Sequence, residues 1–142
     1  NKNEKDRDYY YFIVGNAYYN MGRHGNVCMM RRINGWSGSS VSVIEDEIEF
    51  RQSNLAKKYY LLAKKHAQTD KFKALCLRMA TRCEKDKLDH AYFDSNNYPG
   101  HDYYSLLTTN KYYRELKEKY PYYFGDLVSN CDDFPEYFNA RR

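Results

Sequence analysis

The chain has 142 residues, 42% hydrophobic and 30% charged, which suits one domain with a core and argues against disorder. The net charge of +4 comes from 23 basic and 19 acidic residues with the signs interspersed, weaker than the clustered excess typical of nucleic-acid binders. No run approaches the roughly 18 apolar residues that a membrane-spanning helix requires. Aromatic residues reach 18%, and 17 of them are Tyr, whose ring packs while its hydroxyl stays wet.

In chain order, residues 1–8 are polar and charged and read as a lead-in. The chain opens on Asn1 rather than Met, so it is expected to be the C-terminal fragment of a longer protein. A first helix is predicted over 9–21, its stripe formed by Tyr11, Val14, Gly15, Tyr18 and Gly22 at helical spacing. Glycine inside a helix costs about 1 kcal/mol against Ala. Gly15 is therefore expected where another backbone comes close. Residues 31–44, with Asn34-Gly35-Trp36-Ser37-Gly38-Ser39-Ser40, have loop composition.

A long second helix follows. Ser42 and Glu45 have capping-box spacing, and the order of Glu45, Asp46, Glu47 and Glu49 before Lys57, Lys58, Lys64 and Lys65 complements the helix dipole. Its predicted inner face is Ile48, Leu55, Ala56, Tyr59, Tyr60, Ala63 and Ala67. Thr69-Asp70 starts a third helix with the stripe Phe72, Leu75, Cys76, Met79, Ala80 and Cys83, ending in the charged run Glu84-Lys85-Asp86-Lys87. Residues 88–102, containing Asn96-Asn97-Tyr98-Pro99-Gly100, read as a second long loop. A fourth helix is predicted over 103–119, burying Leu106, Leu107, Tyr113, Leu116 and Tyr120. A fifth over 122–130 uses Phe124, Leu127, Val128 and Cys131. No alternating β-branched run appears, so the fold class is all-α.

The first helix, Tyr11-Phe12-Ile13-Val14-Gly15-Asn16-Ala17-Tyr18-Tyr19-Asn20-Met21-Gly22, resembles the first helix of a tetratricopeptide (TPR) repeat. Tyr11, Val14, Gly15 and Tyr18 stand at that family's aromatic, large apolar, small and Tyr positions. Ala56, Tyr60 and Ala63 are similar to its second helix, with Gln68 where Pro is the rule. Thr109, Tyr113, Leu116 and Pro121 repeat the spacing. The segment Tyr112-Tyr113-Arg114-Glu115-Leu116-Lys117-Glu118-Lys119-Tyr120-Pro121 is similar to divergent repeats of bacterial envelope-assembly and lipoprotein scaffolds. The resemblance covers about two thirds of the chain, and the loops at 31–44 and 88–102 depart from it. It implies a TPR-like array of about five helices in antiparallel hairpins, a bacterial envelope setting, and a scaffold role without catalysis. One hairpin cannot bury its own apolar face, so packing on upstream repeats or on a second copy is also implied.

No catalytic, metal-binding or cofactor-binding constellation is legible. His24, His66, His90 and His101 make no metal-ligand pair, and no Cys-x-x-Cys exists. Asp86, Asp89, Asp94 and Asp102 lack calcium-loop spacing. On one helix, Cys76 and Cys83 would stand about 10 Å apart, beyond the roughly 7 Å reach of a disulfide. They read as small buried hydrophobes, while a bridge from Cys28 to one of them stays open. Surface is what remains. Trp36, Tyr92 and Tyr98 on loops, with Tyr19 and Tyr104 as the outward members of Tyr pairs, are the candidate partner-binding residues; the alternative for each is core filler. The partner is expected to be a protein or peptide. Nucleic acid or polysaccharide, stacked on Tyr and held by Lys and Arg, is the second reading, and a purely structural cap of a longer solenoid the third.

Overall fold

The computed structural model describes residues 4–23, 25, 47–94 and 109–129. Among them lie six helices and no strand: α1 (Arg7–Met21), α2 (Glu47–Gln52), α3 (Asn54–His66), α4 (Asp70–Asp94), α5 (Lys111–Lys119) and α6 (Pro121–Ser129). The all-α expectation therefore holds for the described residues.

Successive long helices alternate in direction. Tyr11 of α1 meets His66 at the end of α3, while Gly22 beyond α1 lies beside Phe50 and Ser53 at its start. Lys57 pairs with Glu84, and Asn110 bonds to Thr81, which sets α4 antiparallel to α3 and α5 back along α4. Phe12 touches Phe72, so α1 and α4 flank α3 on the same side of the core.

The stripe read on α4 is buried in full: Phe72, Leu75, Cys76, Met79, Ala80 and Cys83. Its other face is buried too, at Ala74, Leu77, Arg78 and Thr81, a second burial that one-face periodicity does not reveal. The helices α5 and α6 pack on α4 and add Leu116 and Leu127 to one core. Neither the charged run 84–87 nor position 88 ends α4, which continues to Asp94; residues 88–94 of the expected loop are thus helical. Asp86, in the middle of that run, is itself buried, so the run is no solvated terminus.

The predicted second helix is two helices. Ser53 between them has φ 50°, the one positive φ at a non-glycine among the described residues. Its N–H still donates to Glu49 O and its carbonyl accepts from Lys57 N, so the chain turns without losing its ladder. Ser53 makes no side-chain cap. Glu49 caps α3 instead, its carboxylate accepting from Leu55 N at 2.8 Å and from Ala56 N at 3.3 Å. An anion over a helix N-terminus satisfies orphan donors and meets the positive end of the dipole. The bend turns Ile48 and Leu55 outward, at 69% and 37% exposure, although the spacing places both inside. The capping box expected at Ser42 and Glu45 lies outside the described residues. Ser53→Pro is expected to cost about 3 kcal/mol, since proline excludes φ 50° and removes a bonded N–H, whereas Ser53→Gly should stay within about 1 kcal/mol. Urea unfolding measures both; equal losses would mean that the left-handed turn is not what Ser53 supplies.

Interhelical ion pairs tie the layers. Lys64 of α3 reaches Glu115 of α5 at 2.6 Å, and Lys119 reaches the same carboxylate at 3.0 Å. Burial raises the Glu115 pKa, but the two ammonium groups outweigh it and hold the carboxyl below its ordinary range. A carboxyl with a depressed folded pKa adds stability that is present above its unfolded value of about 4.3 and lost as pH falls through the folded value. The midpoint of urea unfolding should fall on acidification below about pH 4.3, and Glu115→Gln should flatten that fall. An unchanged acid limb in the Gln variant would show that the pair contributes nothing.

Candidate interaction surface

Tyrosine serves mainly as mortar between helices. Phe12 packs on Tyr60 with centroids 5.5 Å apart and on Phe72 at 5.2 Å. Tyr18 stacks on Tyr59 at 5.6 Å with rings 6° from parallel, and Tyr11 adds contacts to Tyr59 and His66. The Tyr60 hydroxyl donates to Asn16 Oδ1 at 2.7 Å. Burial pushes the Tyr60 phenol well above its usual range, with the neighbouring Cys83 adding to the effect.

Of the residues expected to bind a partner, Tyr19 is described in full, and it does not face outward. It is half-buried against the core, and its hydroxyl hydrogen-bonds to the Asp86 carboxylate. Burial first and that carboxylate second push its pKa far up. Tyr92 lies on the last turn of α4, its side chain outside what is described. Trp36, Tyr98 and Tyr104 lie outside the described residues. The two described thiols, Cys76 and Cys83, are free and fully buried, as their positions on the stripe suggest. Burial foremost raises both thiol pKa values, which suppresses the thiolate. No group of three or more His, Cys, Asp or Glu able to hold a metal ion occurs among the described residues. No helix there is long and apolar enough to cross a membrane.

The exposed apolar surface lies elsewhere, on the outer face of α1. From Tyr9 to Met21 no residue is charged. Phe12, Gly15 and Tyr19 point inward, which leaves Tyr10, Ile13, Ala17 and Met21 on the opposite side at spacings of three and four. All four are exposed, Tyr10 by 55%. A helix that carries a second apolar stripe opposite its buried one ordinarily has that stripe covered as well. Periodicity points to this second stripe as readily as to the first, and only burial tells the two apart.

At its C-terminal end this face runs into a notch of about 80 Å³ lined by Tyr18, Met21, Gly22, Glu49, Phe50 and Leu55. Beyond Leu55, the outer side of α3 carries a shallow groove of about 380 Å³ lined by Asn54, Lys57, Lys58, Leu61 and Leu62. On α6, Tyr122 stands 84% exposed, edge-on to Tyr123 at 5.1 Å. Comparison with protein-family models, with curated proteins and with solved structures finds no match for the chain.

Proposed function

We propose that this chain is a non-enzymatic protein-interaction module, a TPR-like stack of antiparallel helices whose outer faces receive a protein or peptide. The uncharged, exposed outer face of α1 carries this reading. In a stack of helical hairpins each unit leaves one apolar face for its neighbour, so a helix that keeps an exposed apolar stripe besides its buried one is a point of attachment. The close crossing of Gly15 and Tyr60, small against large at positions where a TPR-like hairpin places them, supports the same architecture. Burial of Cys76 and Cys83 removes two potential nucleophiles and fits a role without chemistry.

A photocrosslinking amino acid at Ile13 of the full-length protein, expressed in its own cells, should yield a discrete adduct. The same group at exposed Lys117 on α5 should yield none. Tyr10→Glu with Ala17→Glu should abolish the adduct without changing the circular dichroism spectrum. An adduct of twice the chain mass identifies a second copy, and any other mass a different partner. Absence of an Ile13-specific adduct ends the proposal.

A further inference from the structure

The outer face of α3 differs in kind from that of α1, because it is both apolar and basic. The helix carries Lys57, Lys58, Lys64 and Lys65 and not one acidic residue. Two of these lysines are already paired: Lys57 with Glu84 and Lys64 with Glu115, both on the side turned towards α4 and α5. Lys58 and Lys65 lie about 100° further round the helix, away from the core, and are exposed, with no ion pair to either among the described residues. They stand two helical turns apart on one line, about 10.5 Å along the axis. Half-buried Leu61 lies on one side of that line, and Leu62 with exposed Leu55 on the other.

We infer that this face docks an acidic amphipathic helix of a protein partner, an inference that rests on the interaction-module reading above. A helix laid in a groove anchors through apolar residues at i, i+3, i+4 and i+7. Here such anchors enter the groove between Lys58, Leu61 and Leu62, while Asp or Glu on the flanks of the incoming helix reach Lys58 and Lys65. Charge complementarity of this kind sets the register and excludes basic partners. A polyanion fits less well, because Glu84 and Glu115 border the same helix and the groove between the lysines is apolar. An anionic lipid surface calls for clusters of about four to eight basic residues, against the two offered here.

The test uses the whole chain and a fluorescein-labelled 18-residue amphipathic helical peptide, with Leu at i, i+3, i+4 and i+7, Glu only at the positions flanking that stripe and Ala or Gln elsewhere, followed by fluorescence anisotropy. Saturable binding is expected, weakening as salt rises, and Lys58→Glu with Lys65→Glu should weaken it about tenfold. Leu62→Glu should weaken it comparably, with circular dichroism recorded to show that α3 persists. Absence of saturable binding, or affinity unchanged in the double Lys variant, overturns the inference. So does heparin or single-stranded DNA that binds with affinity unchanged in Leu62→Glu, which would make the face a polyanion site. If the peptide fails while the Ile13 adduct persists, the docking site falls and the interaction module stands; if both fail, both fall.

Discussion

Gly15→Ala is expected to destabilise the protein by about 1–2 kcal/mol, although alanine in a helix normally gains about 1 kcal/mol over glycine. A Cβ at Gly15 would stand 2.9 Å from Cδ1 and Cε1 of Tyr60 and 3.3 Å from its Cγ. These are atoms of a rigid ring with no exposed surface, hemmed in by Phe12 and held through its hydroxyl by Asn16. The ring cannot swing aside, and overpacking of this kind costs about 1–3 kcal/mol. Gly15→Leu should unfold much of the population, since total stability for a domain this size is roughly 5–15 kcal/mol. Tyr60→Ala should itself cost about 3–5 kcal/mol, through lost burial and the cavity left behind. The decisive measurement is a double-mutant cycle by urea unfolding. In a Tyr60→Leu background, Gly15→Ala should become neutral or mildly stabilising. Simple additivity of the two changes would refute the account of this crossing.

Asn110→Ala is expected to cost about 2–4 kcal/mol, because one side chain does two jobs. Its Oδ1 accepts from Tyr112 N at 3.1 Å and from Tyr113 N at 3.3 Å, capping α5. Its Nδ2 donates to Thr81 O on α4 at 3.0 Å, with the residue 2% exposed. Thr81 also donates from Oγ1 to Leu77 O, a back-bond that keeps its side chain on the buried face of α4. Asn110→Asp separates the jobs: it keeps the cap but loses the donor and sets a carboxylate against a carbonyl. It should therefore destabilise while leaving the Tyr112 and Tyr113 amides protected in hydrogen exchange. Loss of protection at those amides in the Asp variant, or no loss of stability in either variant, would contradict the dual role.

Asn110 shows what cannot be read in advance. Spacing starts the fourth helix near 103, and nothing local marks Asn110 as a cap whose other end reaches α4. The bond to Thr81 spans 29 positions, and only packing creates it. Phe12 is a similar case. It lies beside the stripe assigned to α1, yet it is fully buried, because Phe72 and Tyr60 arrive from two other helices to receive it. Ser53 is a third, since the acid-to-lysine gradient spans α2 and α3 and hides the left-handed residue between them. The surface is the least legible part. Tyr19, expected outward, turns towards Asp86, whereas the exposed stripe of α1 carries residues that spacing alone does not single out.

What the sequence by itself determined is the helical character of the described residues and the core stripe of α4, together with the burial of Cys76 and Cys83; at Gly15 it marked a close approach, expected from a backbone, which the Tyr60 ring makes instead. These follow from periodicity, from the absence of β-branched alternation and from the cost of glycine in a helix, all of which act over a few residues. Tertiary structure alone decided that α4 is buried on both faces, where the second helix breaks, that Glu49 caps α3, and which lysines of α3 are paired. Those depend on what arrives from distant positions, and local spacing holds no record of the neighbour on the far side of a helix.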